Sequence, residues 1–383
     1  MAEVDLKKRS LAAYRVEFPV TKKFIYLDHA AVAPLSKRVK DTVNKFLTEA
    51  TEAAFFKYSY WMGRVEEIRG NCAELVGSEK EEIAFIKNTS HGISLVAEGL
   101  DWKEGDNVII FEKEFPSNIY PWLNLERKGV KVKFIPARGN MIYIDDIEEM
   151  IDANTRLLSI SSVQFSNGFR VDLERLGEVC RRRKVLLFVD AIQSLGIAPM
   201  NVSELGIDFL ASDGHKWLLG PEGAGIFYCR HELAELLKPS LIGWKSVVNE
   251  NDYDHIDFRL KTDSLRFEEG SLNVMGIMAL GAAVDLLLEV GIDRIGERIL
   301  DLGDLIVEEA EKRGSEIRSP KDRKHRAGIN SIMGNFDPIV VKDRMRAVGI
   351  LVNVRSGAIR VAPHFYNTED EILKFFSELD KLM

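Results

Sequence analysis

Cysteine is scarce. Three occur in 383 residues, Cys72, Cys180 and Cys229, each inside an apolar periodic stretch. So small and odd a number excludes a disulfide framework and predicts buried thiols in a reducing, cytoplasmic setting. No spacing of cysteines, histidines and acids reads as a metal site. Long apolar runs are also missing: no window reaches the length of a membrane span. Residues 1–10 are charged and have no apolar core, so no signal peptide is expected. A basic excess is absent too. Lys+Arg 52 against Asp+Glu 60 leave a net charge of −8, which argues against a nucleic-acid binder. The densest basic run, Arg181-Arg182-Arg183-Lys184, ends a predicted helix, where cations suit the dipole. There is no Gly-x-Gly-x-x-Gly and no Walker loop, which removes nicotinamide and nucleotide readings.

What is present fits a globular enzyme of two or three domains, 46% hydrophobic and 29% charged. Short apolar runs at 83–86, 108–111, 130–135, 157–163, 185–190 and 225–229 read as strands. Helical periodicity lies between several of them. It is clearest at 57–77, where Trp61, Val65, Ile68, Cys72, Leu75 and Val76 share a face and Gly77 follows. Ser36 can cap a helix carrying Val39, Val43, Phe46 and Leu47. Helices are also expected at 172–183, 275–290 and 292–314, and one more begins near Thr368. The alternation predicts an α/β domain with a mostly parallel sheet. Open sheets of that kind bind ligands beyond their strand carboxyl ends.

The chain is organised around Asp208-Phe209-Leu210-Ala211-Ser212-Asp213-Gly214-His215-Lys216, an apolar run that ends in a lysine. A desolvated lysine amine loses its proton and becomes a nucleophile towards carbonyls, the means by which an enzyme holds pyridoxal phosphate as a Schiff base. Upstream, the buried-strand pattern Val185-Leu186-Leu187-Phe188-Val189-Asp190 ends in a carboxylate. A buried carboxylate needs a cationic or hydrogen-bonding partner, and a protonated pyridine nitrogen is one. Lys216 alone reads as a solvated lysine and Asp190 alone as a turn residue; together they favour the cofactor.

Three segments then carry a resemblance: Val189-Asp190-Ala191-Ile192-Gln193-Ser194, Ser212-Asp213-Gly214-His215-Lys216-Trp217 and Gly220-Pro221-Glu222-Gly223-Ala224-Gly225. In order and spacing the chain, from Tyr26 to Asn367, resembles the class V aminotransferases. These are fold-type-I pyridoxal-phosphate enzymes that include cysteine desulfurases and selenocysteine lyases. The resemblance implies a large cofactor-binding domain at 24–255 and a smaller α+β domain formed by 1–23 and 256–383. It implies a homodimer in which Gly270-Ser271 reaches the other subunit's site.

The same resemblance assigns roles. Ser90 and His91 fall at the turn that holds the cofactor phosphate, joined by Ser212, His215 and the partner's Ser271. Phe115 stands where desulfurases have a ring-stacking histidine. A phenylalanine can stack but cannot exchange protons. Asn167 and Gln193 are expected at the phenolic oxygen, Asp190 at the ring nitrogen, Arg360 at the substrate carboxylate and His29 at the substrate. Each has a plainer alternative. Thr89 or Ser90 would cap a helix, Phe115 would be a core residue, and Asn167 would be the turn residue before Gly168. Ser271 would be a helix cap, Arg360 an arginine paired to an acid, and His29 a loop histidine held by backbone. Arg355 competes with Arg360, and Trp244 is a further candidate for the pocket wall.

A desulfurase needs a thiol on a mobile loop late in the chain. Between Cys229 and Met383 there is none, and the stretch 351–359 is shorter than such a loop with its flanks. Persulfide-forming desulfuration is therefore not expected. Transamination of an α-amino acid is the first reading. Elimination from Cβ by a C–S lyase (acting on cysteine, selenocysteine or a sulfoxide) and epimerisation are the alternatives. A catalytically idle fold used for binding is an alternative of another class.

Overall fold

The structure, a computed structural model, describes residues 10–139 and 141–382; most of the charged opening stretch lies outside the described residues. After two 3-10 turns come β1 (Ile25–Tyr26), α1 (Lys37–Glu52), α2 (Tyr58–Val76), β2 (Ile83–Ile86) and α3 (Thr89–Gly99). Then follow β3 (Asn107–Phe111), the single turn α4 (Tyr120–Leu123), β4 (Lys131–Ile135), α5 (Ile144–Met150), β5 (Thr155–Ser161) and α6 (Leu173–Arg183). β6 (Leu186–Asp190), β7 (Phe209–Asp213), β8 (Gly225–Cys229) and the short α7 (His231–Ala234) complete the first half. The rest comprises α8 (Val274–Val290), α9 (Ile292–Lys312), β9 (Glu316–Ile317), β10 (Asn330–Met333) and α10 (Pro338–Ala347). It closes with β11 (Ile350–Leu351), β12 (Asn353–Arg355), β13 (Ala358–Val361) and α11 (Glu369–Leu379).

Seven strands form the main sheet, in the order β2-β8-β7-β6-β5-β3-β4. Only β8 opposes its neighbours; the other adjacent pairs are parallel. The continuous apolar runs follow from this. β3, β7 and β8 are buried along their whole length because helices cover both faces. Register brings the strand ends together. Ser161 of β5 pairs with Asp190 of β6, and Gly225 of β8 lies between Ile86 of β2 and Asp213 of β7. The ends of five strands thus open on one edge of the sheet.

The helices end where their sequences direct. Ser36 Oγ accepts from Val39 N at 3.3 Å to open α1. Of the apolar residues expected on that helix, Val39 is buried and Leu47 is 49% exposed. α2 buries the expected stripe and closes on Gly77 at φ 68°. Thr368 and Glu371 form a reciprocal cap at the start of α11.

One core draws residues from both ends of the chain, from Tyr14 to Tyr366. α8, apolar on all sides, packs against α1 and α2, and its Ile277, Leu280 and Val284 share a core with Val39 and Val65. α9 carries both cores, with Ile295 and Ile299 in the first and Leu302 and Ile306 in a second core with Ile359 and Phe376. β1 pairs in parallel with β11 in a two-stranded sheet of their own, which ties the chain before α1 to the C-terminal part beside the four-stranded sheet β12-β13-β10-β9. An all-apolar helix needs cover on every side, and α1, α2 and α9 supply it to α8. Residues 10–23 pack near the C-terminal part. Phe18 stacks on Tyr366 at 3.8 Å, and Arg15 pairs with Glu371 at 2.6 Å. No single helix among the described residues is long and apolar enough to cross a membrane.

Candidate active site

A cavity of about 280 Å³ opens over the strand ends. Asn88, Thr89, Ser90, Phe115, Asp190, Gln193, Asp213, His215, Lys216, Arg355 and Arg360 contribute to its wall.

Lys216 reaches the cavity because β7 ends at Asp213 and the chain turns at once. Gly214 N donates to Asp213 Oδ1 at 2.7 Å, and Gly220 N returns to Gly214 O at 2.9 Å. Burial pushes the Lys216 amine down to about 8, against the opposing pull of Asp190. Asp190 closes β6, 2% exposed, and burial pushes its carboxyl up to about 6. Its Oδ1 accepts from Ile192 N at 3.0 Å. A buried carboxylate facing a cavity, with a lysine as its nearest opposing charge, is an incomplete arrangement that a cationic ring nitrogen would complete.

The phosphate end is built by α3. Asn88 caps it, its Oδ1 accepting from His91 N at 2.9 Å, in the place given to Thr89 or Ser90. Thr89 Oγ1 is engaged by Asp213 N at 3.2 Å, and Ser90 Oγ donates to Ser117 Oγ at 2.8 Å. The first turn of α3 thus faces the cavity with hydroxyls and amides, the setting that attracts an anion. Gly92 lets the helix come close: a Cβ there would lie 2.6 Å from Ala211 Cβ of β7.

The structure brings together Lys216, Asp190, Ser90, Phe115, Gln193, His215 and Arg360, and sets other expected residues elsewhere. His91 is outside the cavity wall, its Nδ1 accepting from Lys87 N at 3.4 Å. Ser212 is buried behind the wall, with Oγ on Asp213 O at 3.1 Å. Asn167 lines an adjoining cavity and accepts from Phe169 N at 3.1 Å, forming the turn before Gly168 (φ 74°). His29 is fully buried between Ala362 O (2.8 Å) and Tyr366 Oη (2.6 Å), and burial lowers it to about 4. It is the backbone-held alternative; Ala30, Ala31 and Val32 reach the cavity instead. Trp244 borders a separate surface groove. Ser271 is exposed and does not cap α8, which begins on Asn273 Oδ1.

Phe115 is 42% exposed at the mouth, edge-on to Phe165 at 5.3 Å, so it is not a core residue. Gln193 is fixed at both ends. Its Oε1 accepts from Trp217 Nε1 at 2.8 Å, and its Nε2 donates to Ala30 O at 3.1 Å. Arg360 is 1% exposed, pairs with Asp28 at 3.1 Å and also lines the cavity.

Sequence reasoning passed over three residues. Glu114, fully buried beside the site, accepts from Ser161 N (2.7 Å), Ser161 Oγ and Gln164 Nε2 (3.0 Å). Burial, with Asp190 nearby, pushes it up to about 7. An acid just beyond an all-apolar strand was the available signal. Asn88 was legible as a cap three residues before His91. Asp28 was not, because its partner lies 332 residues away.

These residues fit pyridoxal phosphate: a desolvated amine, a buried carboxylate, an aromatic face and a helix start share one cavity. The Aminotransferase class-V family description matches residues 25–375. A probable cysteine desulfurase of Methanothermobacter thermautotrophicus is 31% identical over 96% of this chain and 97% of its own length. An uncharacterised aminotransferase of Bacillus subtilis is 26% identical, covering 96% of each chain. The apo structure of a cysteine desulfurase from Thermococcus onnurineus superposes with a TM-score of 0.89 at 26% identity, covering 100% of this chain and 99% of that one. With the lysine, the carboxylate and the fold in agreement, the chain belongs to the class-V aminotransferase family and is a pyridoxal-phosphate-dependent enzyme.

Proposed function

We propose that the enzyme transaminates an α-amino acid. One observation carries the reading: the cavity holds the buried amine of Lys216 and the guanidinium of Arg360, and no thiol. Cys72, Cys180 and Cys229 lie in α2, α6 and β8, at most 1% exposed, and burial raises all three thiols. Pyridoxal phosphate supplies, when bound, an electron-poor ring that stabilises negative charge at the substrate Cα. Arg360, oriented by Asp28, takes the α-carboxylate in its fork. Lys216 Nζ moves the proton from Cα; a pKa near 8 suits a base working at neutral pH. Asp190 holds the positive charge at the ring nitrogen, and Phe115 screens the mouth from water. The first turn of α3 and His215 hold the phosphate. Asn167 is assigned to the phenolic oxygen with a turn of its side chain.

Elimination from Cβ is the second reading. It is favoured by the 31% identity to a relative named for acting on cysteine, because C–S cleavage by elimination needs no enzyme thiol. Homodimerisation and a cytoplasmic location belong to the same proposal. The exposed Ser271 beside Gly270 supports the first, and three free thiols support the second. A monomeric mass by light scattering with full activity would refute the dimer.

The test supplies single amino acids to the holoenzyme without a keto-acid acceptor. One keto acid per site, then arrest, means transamination. Continuous release of keto acid and ammonia means elimination. Undiminished turnover in Lys216→Ala would sink both.

A further inference from the structure

Arg355 closes β12 and Arg360 lies within β13, with Asn353 opposite Arg360 and Arg355 opposite Ala358. Both guanidiniums reach the cavity of Lys216, but they are not equally neutralised. Arg360 Nη2 donates to Asp28 Oδ1 at 3.1 Å and Nη1 to Phe165 O at 3.2 Å, while its Nε is buried without a partner. Arg355 gives Nη1 to Asn353 Oδ1 at 3.1 Å and to Val354 O at 2.8 Å. Among the described residues no carboxylate pairs with Arg355. Asn353 Nδ2 in turn donates to Asp28 Oδ2 at 2.8 Å. One carboxylate therefore orients two guanidiniums, one directly and one through Asn353.

The cavity's own acids do not complete the set. Asp190 sits at the end of β6, and Asp213 is held by Gly214 N and lies 3.0 Å from His215 Nδ1. A guanidinium that shares its nearest carboxylate with a second guanidinium, and has none at pairing distance itself, draws one from whatever fills the cavity it faces. A fork that meets a carboxylate in the bidentate manner uses both of its oxygens. Among the described residues nothing engages the Nη2–Nε edge of Arg355, and Arg360 keeps Nε and one hydrogen on each terminal nitrogen. Two forks with free donors match two carboxylates better than one.

We propose that the substrate is an amino acid with a second acidic group, its α-carboxylate on Arg360 and its side-chain acid on Arg355. This rests on the reading that Lys216 works on an α-amino acid, and it makes Arg355 the residue that selects the side chain.

The test compares aspartate and glutamate with their near-isosteric amides, asparagine and glutamine, as substrates of the holoenzyme. In parallel, calorimetry compares succinate with butyrate as ligands. A charge-assisted pair predicts that kcat/KM favours the acids by about 10- to 100-fold. Arg355→Gln should reduce that preference to near one while changing the amides little, and Arg355→Lys should restore part of it. An equal loss for acids and amides in Arg355→Gln would put both guanidiniums on the α-carboxylate and overturn the proposal. So would a wild-type preference for the amides, which decides the matter even if the variant fails to fold. Absence of turnover with every amino acid would count against the transaminase reading instead. The second-acid site would then be judged by ligand binding, where equal affinity for succinate and butyrate overturns it.

Discussion

The amine of Lys216 lies 5.6 Å from the centre of the Phe115 ring. An aromatic face thus borders the nucleophile, in a cavity whose wall also includes Asp190. Phe115 is exposed at the mouth, so its loss leaves the core untouched. Phe115→Ala should weaken cofactor binding by about 5- to 10-fold, the worth of one stacked ring, with the melting temperature of the cofactor-free protein unchanged. A fluorescence titration with pyridoxal phosphate measures the first and a thermal melt the second.

Capture of the cofactor should depend on pH through Lys216. Only the neutral amine attacks a carbonyl, so the rate should rise with pH and level off above about 8. The linkage to stability has the same origin. The amine's folded value lies below its ordinary 10.5, so between about 8 and 10.5 the unfolded chain binds the extra proton. The cofactor-free protein should therefore gain stability from this group as pH rises through that window. Stopped-flow absorbance and denaturant titrations across pH 7–10 would show either trend or its absence.

Asp190 gives the opposite sign. Its folded value near 6 lies above the ordinary 3.8, so its penalty is absent below about pH 4 and complete above 6. At about 1.4 kcal/mol per unit this amounts to roughly 3 kcal/mol. Cofactor-free Asp190→Asn should exceed wild type in stability by that order at pH 8 and match it at pH 4. Its turnover should fall by 10²-fold or more. Equal stabilities at pH 8 would mean that Asp190 is not desolvated as described.

Removing every thiol should spare the chemistry. A variant with Ala at positions 72, 180 and 229 should turn over within about threefold of wild type. The small buried cavities should cost it a few kcal/mol of stability in total. Loss of activity in a folded triple variant would restore a thiol mechanism.

Gly92 sets the distance between α3 and β7. Gly92→Val drives a branched side chain onto Ala211 and Ile86, whose Cδ1 lies 3.0 Å from the first added carbon. The expected cost is about 1–3 kcal/mol, with a matching loss of phosphate affinity. Urea unfolding and inorganic phosphate binding would both report it.

How much of the site was legible depended on what each residue's role requires. The placement of Lys216 and Asp190 in the cavity could be read because it follows from chain position, at the ends of runs too apolar to be anything but buried strands. Asn167, His29 and Ser212 lie outside the cavity wall. Their side chains point elsewhere because Phe169 N, Tyr366 and Asp213 O hold them, and sequence spacing does not encode side-chain direction. Glu114 was passed over beside Phe115, since its importance comes from Ser161 and Gln164, two elements away.

By itself the sequence determined the order of strands and helices, their caps, the parallel sheet and the lysine–carboxylate pair beyond its strand ends. Period, turn residues and unbroken apolar runs are local properties, and these features follow from them. Only the tertiary structure decided where one core ends and the next begins, within α9, and that Asp28 holds Arg360 and, through Asn353, Arg355. Those outcomes join residues hundreds of positions apart. They depend on which surfaces remain to be covered and which charges remain to be matched once the sheet has formed.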